Sequence, residues 1–188
     1  METAVATPVR WTSGDLVLLP ENEKRYEIVD GELFVSKQPH WHHQATCNNI
    51  AAELTNWNRT TGQGQTVSAP GVIFDEENDV VPDVVWVSRE RLAAILGEDG
   101  HLHRAPELVV EVLSPGWVNE RRDRVAKLKL YSVHGVREYW IVDWRAQAVE
   151  VYRRQDAALR LVCTLHREDE LTSPLLPGFR VPVARLFE

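Results

Sequence analysis

The run Leu108-Val109-Val110-Glu111-Val112-Leu113 constrains the fold more than any other stretch of this chain. It is short, valine-rich and continuous rather than alternating, the pattern of a strand buried on both faces. Such a strand belongs in the middle of a sheet covered by helices, so the expected class is α/β. Its one polar residue, Glu111, stands where an apolar one is expected. Upstream, Val80-Val81-Pro82-Asp83-Val84-Val85-Trp86-Val87 repeats the arrangement with Asp83. An isolated ionised carboxylate among buried valines costs several kcal/mol or takes up a proton, so a cation, a metal or a functional reason is expected nearby.

Other elements can be read around this pair. Trp11 to Leu16 opens a short helix with Thr12 or Ser13 as its cap, and Pro20 to Glu23 reads as a loop. Tyr26 to Val29 and Leu33 to Val35 flank Asp30-Gly31, a dipeptide suited to a tight hairpin turn. From His40 to Arg59, Cys47, Ile50, Ala51, Leu54 and Trp57 recur at helical spacing. Thr66 to Ser68 and Val72 to Phe74 predict a strand pair or one bent strand, and Asp75 to Asp79 a turn. Val80 to Val87 predicts a strand that Pro82 starts or bulges, and Ser88 caps a short helix over Arg89 to Leu96. Val118, Val125, Leu128 and Tyr131 predict a second long helix over 117–133, stopped by Gly135. Strands follow over Glu138 to Val142, Val149 to Tyr152 and Leu159 to Cys163. The Pro-rich tail from Pro174 to Pro182 is expected to lie extended over the surface.

With 188 residues the chain suits one domain, 1–188, and 44% hydrophobic with 26% charged residues is ordinary globular composition. A net charge of -7 argues against coating nucleic acid through overall charge, but leaves room for a local basic groove and for an enzyme that must release its product. Cys47 and Cys163 match no disulfide framework or zinc spacing, as in a reducing compartment. Met1 to Ala4 lacks the basic start of a secretory signal, and no stretch approaches the roughly 20 apolar residues of a membrane span, so a cytoplasmic protein without membrane contact is expected.

Side chains alternate across a strand, so Asp83 and Glu111 can converge if their strands are neighbours. Two carboxylates that close repel, and a hard divalent cation resolves the repulsion; backbone amides or an arginine on each acid would do so too. Asp123, Lys127 and Tyr131 share a helical stripe. Lys127 could be half of an ordinary helical ion pair. With Arg121, Arg122, Arg124 and Lys129 it could also form a basic stretch for a nucleic-acid backbone, or these could be a solvated face. His43, four residues before Cys47, could approach the acids or be a hydrogen-bonded core histidine. His40, His42 and His43, or His101 and His103, lack the companions of a zinc site, and Ser114 lacks the flanking glycines of a nucleophile elbow.

The motifs Tyr26-Glu27-Ile28-Val29-Asp30-Gly31-Glu32, Pro82-Asp83, Glu107 to Pro115, Arg122-Asp123-Arg124 with Lys127 and Tyr131, Gly135 to Asp143 and Leu175-Leu176-Pro177-Gly178 recur in a specific order. In that order and spacing the chain resembles the Uma2 (DUF820) group of the PD-(D/E)XK nuclease superfamily, over about residues 15 to 187. The resemblance implies a restriction-endonuclease-like central mixed β-sheet flanked by helices, with an N-terminal β-hairpin. It implies Asp83 and Glu111 as ligands of Mg2+ or Mn2+, and a lysine acting at the phosphate. In the wider superfamily that lysine lies two residues after the glutamate, where this chain has Leu113. The family pattern supplies it from the following helix, as Lys127. Glu27 or Glu32, both in the first motif, could complete the acidic site or simply be polar residues of the hairpin.

The expected activity is therefore metal-dependent hydrolysis of DNA phosphodiester bonds by Asp83, Glu111 and Lys127. A catalytically inactive nucleic-acid-binding or assembly module, and a hydrolase of smaller phosphoesters, are the alternatives. Trp11, Trp41 and Trp117, if exposed, could serve a homodimer.

Overall fold

The computed structural model describes residues 9–20 and 24–188; of the loop expected at Pro20 to Glu23, all but Pro20 lies outside the described residues. After a one-turn helix α1 (Ser13–Leu16), capped by Thr12 and Asp15, comes the hairpin β1 (Arg25–Val29) and β2 (Glu32–Ser36). Its turn places Asp30 at φ 51° and Gly31 at φ 73°, the left-handed region that the Asp-Gly pair tolerates. Helix α2 (Trp41–Thr61) starts at His40, whose side chain accepts from the His42 amide, and ends at Gly62 with φ 64°.

Two sheets meet beyond it. The larger contains β3 (Gly64–Ser68), β6 (Val84–Ser88), β7 (Leu108–Val112), β8 (Glu138–Asp143), β9 (Ala148–Gln155) and β10 (Ala158–His166), in the order β10-β9-β8-β7-β6-β3. The smaller contains the hairpin with β4 (Val72–Asp75) and β5 (Asn78–Val80), in the order β2-β1-β5-β4. Every residue of β7 is buried, and β7 lies between antiparallel β6 and parallel β8, the central position its apolar run requires. The sheet is mixed because β7 and β8 are joined by a helical crossover, which a parallel pair needs.

Two expectations change here. The segments 66–68 and 72–74 are not a pair: β3 belongs to the large sheet and β4 to the small one. Nor is 80–87 one strand. Pro82 has no amide to donate, so the ladder breaks there; the chain leaves β5 of the small sheet and enters β6 of the large one through Val81-Pro82-Asp83. Asp83 thus sits at the junction of the sheets.

The crossover helix also differs from its expected stripe. It is built from α4 (Trp117–Arg121), a π-helical segment Arg122–Lys127 and α5 (Leu128–His134), with Gly135 at φ 90° ending it. Val118 and Val125 are 56% and 57% exposed, whereas Arg122, Asp123, Lys127, Leu130 and Tyr131 are buried. The wider π turn rotates the helix, so charged residues take the inward face that the valines were expected to fill.

Helix α2 packs Cys47, Ile50 and Leu54 on one face of the large sheet, against Val84, Val110, Trp140 and Val151. The crossover helix, α3 (Arg89–Ile95) and the small sheet cover the other face, around Val85, Val109, Leu113 and Tyr139. The tail does not lie over the surface. Strands β11 (Glu170–Thr172) and β12 (Arg180–Pro182) pair, a 3-10 helix spans Val183–Phe187, and Leu176, Phe179, Val181, Val183 and Leu186 join the core beside α2. Its prolines interrupt regular structure while the residues between them are large and apolar, and their burial decides the path.

Candidate active site

The register of β6 and β7 pairs Val84 with Val110, so Asp83 stands one step further, opposite Glu111. Asp83 Oδ2 accepts a hydrogen bond from the Val112 amide at 2.9 Å and lies 3.3 Å from His43 Nε2; Oδ1 accepts from Arg25 Nη1 at 3.2 Å. Glu111 Oε1 accepts from Lys127 Nζ at 2.8 Å and from the Tyr131 hydroxyl at 2.7 Å. Lys127 Nζ also donates to Glu27 Oε1 at 2.7 Å, and the same oxygen accepts from the Val81 amide at 2.9 Å. Arg122 Nη1 lies 3.8 Å from Glu27 Oε2, while Arg122 Nε donates to Asp123 Oδ1 at 2.9 Å. The small sheet thus supplies Arg25 and Glu27, the large sheet Glu111, the junction Asp83, α2 His43, and the crossover helix Arg122, Asp123, Lys127 and Tyr131.

All of these groups but Arg25 are buried, which decides their chemistry. Burial pushes the Glu111 carboxyl up and Lys127 pulls it back, but Asp83, Asp123 and Glu27 add repulsion, so it reaches about 8. Glu27 goes the other way: burial opposes its charge, yet Lys127, Arg122 and the Val81 amide hold it below the ordinary value. For Lys127, burial is outweighed by Glu111 and Glu27, and its ammonium is held charged. A cation so held donates and stabilises negative charge; it does not act as a proton acceptor. Burial also disfavours charge on Asp83, but His43, the Val112 amide and Arg25 prevail and hold it at about 2.

Four carboxylates, Glu27, Asp83, Glu111 and Asp123, meet three permanent cations, Arg25, Arg122 and Lys127. Burial raises Glu111 most, and the neighbouring carboxylates Asp83, Asp123 and Glu27 add to it. The donor set accordingly fits a hard divalent cation: oxygen ligands, a surplus of negative charge, and Glu111 hydrogen bonds from the described residues that fall on Oε1 alone. His43, Cys47 and Asp83 form a second grouping, each offering a ligand atom within 4.8 Å of the others. There His43 Nδ1 faces Cys47 Sγ at 3.6 Å, and burial, Asp83 and Glu111 push the thiol far above its usual range, so it is a neutral neighbour of the site.

The sequence-derived candidates separate clearly. Asp83, Glu111, Lys127, Glu27 and His43 come together. Glu32 is exposed and lines a groove with Phe34, Trp117 and Arg121 that reaches the site only at Arg122. Among the basic residues, Arg122 is inside the site, Arg124 pairs with Glu150, Lys129 pairs with Asp30 at 2.6 Å, and Arg121 lies over the exposed Trp117 ring at 5.9 Å. Trp41 and Trp117 are 80% and 71% exposed, whereas Trp11 is half-buried. His101 and His103 both pair with Asp99 on a surface loop. Arg25 and the roles of Asp123 and Tyr131 were missed. Arg25 and Glu27 are two residues apart on one strand and hence share a face, a signal that could have found Arg25.

Taken together, the central mixed sheet, its flanking helices and the N-terminal hairpin are a restriction-endonuclease-like fold with a buried acid-lysine cluster at the sheet junction. The family model described as "Putative restriction endonuclease", Uma2, matches residues 14–184, and the chain belongs to that family. A similar solved structure is that of a "putative nuclease belonging to DUF820" from Anabaena variabilis ATCC 29413. It has a TM-score of 0.72 and 20% identity, and the match covers 94% of this chain and 97% of that one. No match is found among curated proteins.

Proposed function

We propose that this chain is a Mg2+- or Mn2+-dependent endonuclease that hydrolyses DNA phosphodiester bonds, with Asp83 and Glu111 as metal ligands and Lys127 as the assisting cation. The observation that carries the reading is the meeting of Glu27, Asp83, Glu111 and Lys127, all buried, at the junction of two sheets. When bound, the metal would lower the pKa of a water for attack on phosphorus and offset charge on the phosphate. Lys127 fixes Glu111 Oε1 and keeps a positive charge beside the place where charge develops. Glu27 holds that ammonium in position, Tyr131 orients Glu111 and His43 orients Asp83. Arg121, over the exposed Trp117, is available to a nucleic-acid backbone.

One observation favours a second reading. Asp83 and Glu111 each already pair with a protein cation, Arg25 and Lys127, as in a nucleic-acid-binding or assembly module without turnover. Nicking of supercoiled DNA separates the two. Wild-type protein is expected to cleave with Mg2+ or Mn2+ and not with a chelator, and Asp83→Asn and Glu111→Gln to fall to background. Equal cleavage by all three proteins would refute the proposal, and metal-independent retention of DNA without cleavage would favour the second reading.

A further inference from the structure

Among the cations that touch the site carboxylates of the described residues, Arg25 alone faces solvent. Its side chain is 36% exposed, against 9% for Arg122, 7% for His43 and 1% for Lys127. It also occupies a particular oxygen. Asp83 Oδ2 is engaged by the Val112 amide and His43, both buried, whereas Oδ1 accepts only the Arg25 guanidinium among the described residues. The remaining Arg25 contact is equally easy to give up, a 3.2 Å hydrogen bond from Nη1 to the Val81 carbonyl. Its arginine side is open to water, so this pair is exchanged more readily than the enclosed Lys127 pair, and a divalent cation can replace it while the Lys127 pair stays.

We propose that Arg25 is an exchangeable counter-ion: it neutralises Asp83 until a divalent cation binds, and then contacts the substrate phosphodiester. The inference rests on the nuclease reading of the site and adds a residue that recognises the substrate. Arg25 projects from the same face of β1 as Glu27, so its guanidinium stays at the mouth of the acidic cluster after leaving Oδ1. A planar fork of donors suits two phosphate oxygens at once, which the buried ammonium of Lys127, with two of its three donors on carboxylates, does not offer. Until the metal is present Nη1 stays on Asp83 Oδ1 and the Val81 carbonyl, so the fork cannot offer both of its terminal nitrogens to a phosphate.

The test compares wild type with Arg25→Met by two readouts that do not need turnover. In a calorimetric titration with Mn2+ and no DNA, removing the competitor is expected to tighten binding up to roughly fivefold. In anisotropy titrations of a labelled DNA duplex with Ca2+ over a series of salt concentrations, losing one phosphate contact is expected to reduce the slope of log K against log salt by about 1. Arg25→Gln keeps a donor for the Val81 carbonyl and gives the same two readings should Arg25→Met fail to fold. Unchanged or weaker Mn2+ binding, or an unchanged salt slope, would overturn the inference while leaving the nuclease reading in place. A wild-type protein that binds no Mn2+ would overturn both.

Discussion

Asp83 ties three elements together through one carboxylate: Arg25 of β1, His43 of α2 and the backbone amide of Val112 in β7. Burial penalises its charge, but these partners outweigh burial and lower its pKa from 3.8 to about 2. A carboxyl whose pKa is lower in the folded state contributes stability that is fully present above its unfolded value and is lost as the pH falls through its folded value. The contribution should therefore hold above pH 3.8 and vanish toward pH 2. Urea unfolding of wild type and Asp83→Asn over a pH series is expected to give a difference of roughly 2 kcal/mol near neutrality that closes in this acid window. A difference that stays constant through the window would show that Asp83 is not held in this way. At this scale the acids were legible because they break an apolar pattern. Arg25 was less so, because its partner lies 58 residues away and only the strand face it shares with Glu27 pointed to it.

The crossover helix carries a second lesson. Lys127 and Tyr131 are one helical turn apart, and both donate to Glu111 Oε1, so a single element fixes the rotamer of that carboxylate. Tyr131 is fully buried, with its hydroxyl away from bulk solvent. Tyr131→Phe is expected to keep the fold, since the ring still packs against Tyr139 with centroids 5.0 Å apart. Glu111 would lose one of the two donors that orient it. Removing such an outer-shell partner weakens metal binding by about 10–100-fold, and Mn2+ titration of the variant measures it; undiminished affinity would separate Tyr131 from the site. The lysine and tyrosine were legible from their spacing. The π segment between Arg122 and Lys127 was not, because helical periodicity assumes a constant turn. The apparent stripe of Val118 and Val125 followed that assumption onto the exposed side, while the ion pairs of Arg122, Asp123 and Lys127 with the sheets decided which face turned in.

At the scale of the whole molecule, the site exists because two sheets and two helices converge at Pro82, and no local pattern announces that convergence. The sequence carried the central strand, the hairpin, both long helices and their order; it misassigned the strands around Pro70, the single strand expected over Val80 to Val87, and the tail, whose partners are distant. The tail matters most for α2, the helix that brings His43 to Asp83. Asn49 Nδ2 donates to the carbonyls of Leu186 at 3.3 Å and Glu188 at 2.8 Å, Trp57 Nε1 donates to the Pro177 carbonyl at 3.1 Å, and Arg185 pairs with Glu53 at 2.7 Å. Beneath these bonds Leu176, Phe179, Val181, Val183 and Leu186 are buried. Burying side chains of this kind contributes about 1.5–3 kcal/mol each, so even the lower figure for every one of them consumes much of the roughly 5–15 kcal/mol that a folded protein has in all. A chain ending at Ser173 is therefore expected to lose its cooperative thermal transition. A chain ending at Pro182 keeps Leu176, Phe179 and Val181 but sheds Val183 and Leu186 with the Leu186 and Glu188 carbonyls and Arg185. It is expected to melt cooperatively at lower temperature, with hydrogen exchange of α2 amides faster than that of β7. A tail that merely crossed the surface would leave both transitions where they are, and α2 as protected as before.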